Sequence, residues 1–311
     1  MDAAERDLFA GSVRTALERH AGAGLAAALA DVGWADALDA DAASAVSTLF
    51  DLQGRAGVTS PALDDVIVGA LGAATGAGVV LPALGTWSPP GALSDGRVAV
   101  CGVVSAAGAG AAVVLVAVDD RRAHAVATRD LELEPIGGVD PASGLVHVRG
   151  QAAPSAAVDV DWPAAVAAGR LALAHELIGS SRAMLELARE HALQRVQFGR
   201  PIAMFQAVRH RLAETLVAIE AADAVVSAAW EDPTASSAAI AKAMAGRAAR
   251  TASRHCQQVL AGVGFTTEHP FEGYVRRVLV LDQLLGSTRA LTAELGRAMI
   301  GERALPPLLP L

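Results

Sequence analysis

Apolar residues recur every three to four positions early in the chain, at Leu8, Val13 and Leu17 and then at Leu25, Leu29 and Val32. That spacing lines one face of a helix and predicts short amphipathic helices. Asp41 is placed to cap a helix running through Leu49, and Ser60-Pro61 opens another with proline at its first turn. From residue 79 the helical period is lost. TWSPPGALSDG is dense in turn formers, and RVAVCGVV, AAVVLVAV, HAVATRDL and GLVHVRG follow as short β-like runs, separated by Asp119-Asp120, Gly137-Gly138 and Pro141. From Trp162 the helical signal returns. It predicts long helices over Val166 to about Gln194, Phe205–Trp230, Ser236–Leu260 and Asp282 to about Ala304. FGRP at 198–201, Glu231-Asp232-Pro233, and AGVGF with an irregular stretch after it, break them. Four long helices on short connections predict a bundle. The expected fold class is mostly α with a small, mostly antiparallel central β-domain. Its expected parts are a helical domain over 1–78, the β-domain over 79–158 and a four-helix bundle over 159–311.

Composition narrows the function classes. The chain has 311 residues, 53% of them apolar and 19% charged, enough to bury a core without staples. Cys101 and Cys256 are too few for a disulfide scaffold or a thiolate zinc site. The net charge is −8 with no basic cluster, which argues against a nucleic-acid partner. Of 25 basic residues only Lys242 is a lysine, and alanine fills space where aromatics, at 4%, do not. Val66–Leu84 and Val98–Val118 are uncharged and long enough to span a bilayer, but glycines, a proline and the SAAGAGA break read them as buried elements instead. With no basic-then-apolar leader in MDAAERDLFA, the expected compartment is the cytoplasm, with no membrane partner. Gly108-Ala-Gly110 lies between two β runs and reads as a turn rather than a dinucleotide fingerprint, which needs a helix next. No P-loop, HExxH or GxSxG pattern occurs, so neither a metal site nor a serine hydrolase is indicated.

One segment carries chemistry: Arg195-Val-Gln-Phe-Gly-Arg-Pro-Ile-Ala-Met-Phe-Gln206. It resembles the R-x-Q-F-G-x-P-I-x-x-F-Q signature of the acyl-CoA dehydrogenase family, found between the first two helices of that family's C-terminal bundle. A second segment, Gln258-Val-Leu-Ala-Gly262-Val-Gly264-Phe265-Thr-Thr-Glu-His-Pro270, is similar to the family's Q-x-x-G-G-x-G-[FY]-x-x-E-x-P. The likeness is strong over about residues 160–311 and weak before them. It implies the order helical domain, β-domain, bundle, with the first domain shortened, and it implies FAD. Arg195 is a permanent cation suited to a diphosphate, Phe198 can pack on a flat ring, Gln197, Gln206 and Gln258 offer amide hydrogen bonds, and Gly262 lets backbone N–H groups approach an anion. Residues at these positions in the family hold the ADP half of a flavin seated mainly in the neighbouring subunit. Taken singly, Arg195 can also cap helix carbonyls and Phe198 can be core.

The departures point further. The family removes the substrate's α-proton with a glutamate in a Y-E-G-T segment, and the matching stretch here is Leu284-Leu285-Gly286-Ser287. Leu285 cannot accept a proton. Members that carry the base on the bundle's first helix would place it at Gly169, again without a carboxylate, while Arg170 beside it matches a basic residue of the family. Glu176 and Asp282 are weak substitutes, displaced by about two turns and one turn. The family's T-E-P-x-A-G-S-D stretch, which flanks the flavin ring, corresponds to Gly85-Thr-Trp-Ser-Pro-Pro-Gly-Ala-Leu-Ser-Asp95, where no T-E-P survives. The resemblance therefore extends to the short, base-less subunit of actinobacterial α2β2 acyl-CoA dehydrogenases, associated with CoA thioesters of bulky substrates such as steroid side chains. It implies a catalytic partner subunit, an acyl-CoA substrate and an electron-transfer flavoprotein as acceptor. Two other readings stay open: a self-sufficient dehydrogenase with a relocated base, and a flavin-free scaffold subunit.

Overall fold

A computed structural model describes residues 1–20, 23–72 and 78–303. Five helices come first: α1 (Ala3–Arg19), α2 (Ala23–Asp31), α3 (Trp34–Ala40), α4 (Ala42–Ala56) and α5 (Ala62–Ala70). Asp2 and Glu5 form a reciprocal capping box on α1, and Asp41 accepts from the Ser44 N–H at the start of α4, as its position in the sequence suggested. That helix runs past Leu49 to Ala56. On α1 the buried face is Phe9, Val13, Ala16 and Leu17; Leu8, expected on the core stripe, is exposed, because the larger Phe9 takes the inward position. These helices bury Leu25, Leu29, Trp34, Leu49 and Phe50 in a core that Ala172, much later in the chain, helps to close.

The strands follow: β1 (Gly78–Val79), β2 (Leu81–Pro82), β3 (Gly91–Ser94) and β4 (Arg97–Ser105), a short helix α6 (Ala106–Gly110), then β5 (Val113–Ala117), β6 (Arg122–Ala127), β7 (Glu132–Pro135), β8 (Leu145–Ala152) and β9 (Pro154–Asp159). They form one sheet ordered β1-β5-β6-β9 and a second ordered β2-β4-β8-β7, with β3 also on β4. Every pair is antiparallel except β1 with β5. Valines alternate inward along β4, β5 and β8 to make the core between the sheets. Two sequence expectations are corrected here. The turn-rich GALS segment is strand β3, since Ala92 and Leu93 pair with Ala99 and Val98. SAAGAG is α6 rather than a plain turn, because the Ser105 hydroxyl caps the Gly108 N–H; at five residues it returns at once to a strand. Of the Val66–Leu84 stretch, residues 73–77 lie outside the described residues; among the described residues no helix is long and apolar enough to cross a membrane.

The last part is helical: α7 (Trp162–Gln194), a two-residue hairpin of β10 (Val196–Gln197) and β11 (Arg200–Pro201), then α8 (Gln206–Glu231), α9 (Ala235–Leu260), α10 (Phe271–Gln283) and α11 (Thr288–Glu302). The stretch before the last predicted helix, read as irregular, is α10, and Asp282 lies near its end rather than opening a helix. The break comes at Leu284–Ser287, where Leu285 and Gly286 both take positive φ and the chain cannot stay helical. At 33 residues, about 50 Å, α7 is the spine. It is buried almost continuously from Ala165 to Ser181, against α4 and α5 on one side and α8 and α9 on the other. Where α4 crosses it, a Cβ on Gly179 would lie 2.1 Å from the Asp51 carbonyl oxygen, and one on Gly54 would lie 2.2 Å from that of Glu176. Two glycines thus let two backbones touch, and this fixes the first helices on the bundle.

Candidate functional site

The antiparallel run of α7, α8 and α9 brings the end of α7, the start of α8 and the end of α9 to one end of the bundle. The six residues assigned to the flavin by resemblance, Arg195, Gln197, Phe198, Gln206, Gln258 and Gly262, are all exposed there. His191, Arg195 and His269 are near enough for Arg195 and His269 to help burial depress the His191 pKa, joining the hairpin to the start of α10. Phe198 and Gly199 make the hairpin turn with φ of 54° and 79°. Positive φ at both central positions suits Asn-Gly; phenylalanine bears strain there. The turn holds Phe198 92% exposed, edge-on to Phe205 with 6.1 Å between ring centroids. The Arg200 guanidinium lies 4.5 Å from the Phe205 ring centre. Leu193, Val196, Met204, Val263 and Phe265 are exposed at the same end. Apolar side chains thus cluster on the surface of this end of the bundle.

Ala261 was not singled out by the sequence motif, although it stands where the family's first paired glycine would be. Its φ of 53° and ψ of −132° form a conformation glycine adopts freely and alanine does not. A Cβ on Gly262 itself would meet nothing within 4 Å, so no part of this chain demands glycine there. The peptide face it leaves bare is open to a ligand from outside.

The two positions where a base is expected face each other. A Cβ on Gly169 would lie 2.5 Å from Leu285 Cδ1 and 3.2 Å from the Ile67 side chain. Leu285 is 1% exposed, inside the main core. Its side chain therefore fills the space that either carboxylate would need. Around it the polar frame is cationic. Arg170 donates from Nε to the Leu285 carbonyl at 3.1 Å, lies 5.3 Å from the Trp87 ring centre, and has a buried Nη2 without a hydrogen-bond partner. Burial alone lowers its pKa to about 10. Lys242, fully buried, donates to the carbonyls of Asp282 at 2.9 Å and Gly286 at 2.7 Å, and burial brings its pKa down to about 7. The sequence signal for Lys242 was its being the sole lysine, set among small residues on α9.

The two substitute acids are engaged elsewhere. Glu176 accepts from Arg277 Nε at 2.9 Å and from Gln53 Nε2 at 3.0 Å, with both charges buried. Asp282 accepts from the N–H and hydroxyl of Thr288, capping α11 from the end of α10. Neither carboxyl lines a space with Leu285. Trp87, from the stretch matched to the flavin-ring loop, is packed under Arg170 with its carbonyl held by Trp162 Nε1 at 3.1 Å. The residues present thus fit the ADP half of FAD through an open, cation-bearing bundle end, and they do not offer a flavin-ring pocket around Trp87. Among the described residues no cluster of His, Cys, Asp and Glu fits a metal ion.

Comparison with known proteins shows what the sequence and the fold resemble. Residues 164–300 match the family model described as acyl-CoA dehydrogenase, C-terminal domain. The chain is 37% identical over 156 residues to acyl-CoA dehydrogenase IpdE2 of Mycobacterium tuberculosis, covering 50% of this chain and 48% of that protein. It is 31% identical over 137 residues to a short-chain specific acyl-CoA dehydrogenase of Megasphaera elsdenii, covering 42% and 36%. The chain spans about half the length or less of these curated relatives. Over nearly its whole length it superposes on a chain of the ChsE4-ChsE5 complex from Mycobacterium tuberculosis, with a TM-score of 0.79, 22% identity and 99% coverage of both chains. A steroid acyl-CoA dehydrogenase variant, Tcur3481-Tcur3483, gives a TM-score of 0.76 at 21% identity, covering 97% of each. Residues 164–300 accordingly belong to the acyl-CoA dehydrogenase family, and the whole chain carries that family's fold: a mostly helical molecule around a small β region.

Proposed function

We propose that the protein is the base-less subunit of a heteromeric, FAD-dependent acyl-CoA dehydrogenase, acting with a catalytic acyl-CoA dehydrogenase subunit in an α2β2 assembly. The observation that carries this is Leu285, whose side chain seals the space shared by both base positions while the exposed bundle end keeps the motif residues. FAD, when bound, supplies the hydride acceptor for α,β-dehydrogenation of an acyl-CoA thioester. This chain's part is to bind and cover. Arg195 pairs with the diphosphate, Gln197, Gln206 and Gln258 donate amide hydrogen bonds, Gly262 presents bare backbone and Phe198 inserts at the subunit contact. Arg170 holds the Leu284–Ser287 loop rather than a substrate. The likeness to the ChsE4-ChsE5 complex and to a steroid acyl-CoA dehydrogenase supports a heteromer acting on the CoA thioester of a bulky, steroid-derived side chain. An electron-transfer flavoprotein is the matching acceptor, and the cytoplasm the matching compartment.

The test is purification alone and with an acyl-CoA dehydrogenase encoded beside it. Alone, the chain carries little flavin and no activity; together, both appear. A yellow, active homomer overturns the proposal. The relocated-base reading has no structural support, since Glu176 and Asp282 are tied; the scaffold reading would be favoured by a complex with flavin only in proportion to the partner's own complete sites.

A further inference from the structure

A small chamber of about 50 Å³ is enclosed where the first helices, the β-domain and the bundle meet. It has room for a group of a few atoms, since one water needs about 10–15 Å³. Asp64 of α5 and Asp140, from the turn that leads into β8, both line it. Asp140 is 9% exposed, and its Oδ2 is buried with no hydrogen-bond partner among the described residues. Asp64 accepts from the Ser105 hydroxyl on one carboxyl oxygen and leaves the other free. The hydroxyls around these carboxyls have their protons committed. Ser105 donates to Asp64, Ser60 to the Gln53 side chain, Ser143 to the Asp140 carbonyl at 2.7 Å and Thr59 to the Ala142 carbonyl at 2.9 Å. What these groups turn to the chamber is oxygen lone pairs. Arg277, the cation on its wall, is spent on Glu176, Thr59 and the Val58 carbonyl.

A second cavity, of about 520 Å³, shares Thr59, Ser60, Ser105 and Ser143 with the chamber and extends it toward the surface. Its own walls are small and mostly apolar, with Ala26, Val58, Pro61, Ala106, Ala107 and Ala142. We propose that the two together bind a primary alkylammonium ion, its ammonium head in the chamber against Asp140 and Asp64 and its carbon chain in the outer cavity. An ammonium head presents three N–H donors and no acceptor, the complement of this set of oxygens. Charge agrees with that choice: Glu176 balances Arg277, while Asp64 and Asp140 have no counter-ion on the chamber wall. A buried carboxylate oxygen without a donor is costly, and an entering cation removes that cost. A bare metal ion suits the site less. Among the described residues no cluster of His, Cys, Asp and Glu fits one, and an apolar entry gives it no contact. The site needs no flavin, so it stands apart from the proposed function.

The experiment is calorimetric titration of the purified full-length chain with n-hexylammonium chloride, at constant ionic strength and at a pH above the Asp64 pKa of about 7. Parallel titrations use n-hexanol, which has the chain without the charge, and potassium chloride, which has the charge without the chain. Hexylammonium binds saturably at millimolar concentration, and neither control does. D140N raises the hexylammonium Kd about tenfold, the loss of one charged hydrogen bond. Because the Asp140 carboxyl accepts no hydrogen bond within the described chain, D140N is expected to fold. A142L, a substitution at an exposed position that narrows the outer cavity, raises the Kd as well and decides the matter if D140N does not fold. No saturable hexylammonium binding, hexanol binding as tightly, potassium displacing it at equal concentration, or a Kd within twofold of wild type in either folded variant overturns the assignment.

Discussion

At the scale of single residues, backbone strain marks what the fold is asked to do. Phe198, Ala261 and Leu285 are non-glycine residues at positive φ, and each falls in a segment matched to a family motif. Ala261→Gly relieves a conformation costing about 1–3 kcal/mol and is expected to raise the melting temperature by roughly 2 °C, a shift differential scanning calorimetry resolves. Asp64 makes a different prediction. It is buried with the Ser105 hydroxyl as its partner, and burial pushes its pKa up to about 7. The folded state then holds a proton the unfolded chain gives up near pH 4, so this group's stabilisation is full below pH 4 and lost as pH rises through 7. Asp64→Asn keeps an acceptor for Ser105, and its stability relative to wild type should climb between pH 4 and 7 by a few kcal/mol, measured as urea midpoints across that range. The motif residues were legible because their types and order survive at the chain surface. Asp64 and the roles of Lys242 and Trp87 were not, since burial against residues distant in sequence gives them their character.

Among elements, close approach is the deciding feature. Gly179→Ala adds a methyl 2.1 Å from the Asp51 carbonyl oxygen, a backbone atom that cannot swing away. The gain in helix propensity, about 1 kcal/mol, is outweighed by forcing α4 off α7, and a net loss of about 1–3 kcal/mol is expected by thermal or urea denaturation. Helical spacing revealed α7, α8 and α9 within a few residues of their ends, because each buries one long stripe. It missed α10, although Phe271, Val278 and Leu281 share one buried helical face, because Pro270, Gly273 and the Arg276-Arg277 pair interrupt that stripe in the sequence. It missed β3 because four residues that pair on one side only leave no periodic trace among turn formers.

For the whole molecule, the buried Glu176–Arg277 pair ties α7 to α10, and Gln53 and Thr59 bring in the first helices. Glu176→Gln strands the Arg277 charge and is expected to cost about 3–5 kcal/mol, while the turnover of the assembled, folded enzyme stays within a few-fold of wild type; a fall of orders of magnitude would make Glu176 the base. Phe198→Asp should leave the melting temperature of the free chain unchanged and abolish co-purification with the catalytic subunit. The order of helical, β and helical parts could be read from the change of period along the chain, whereas the sealing of the base position could not, because Ile67, Gly169 and Leu285 meet only in three dimensions. Their meeting has an evolutionary corollary. A glutamate at 169 collides with the leucine, and one at 285 arrives in a closed interior beside two cations with no room for a thioester. On the proposed role, regaining autonomous turnover would demand concerted changes at several loci, so dependence on a companion polypeptide would behave as a one-way step.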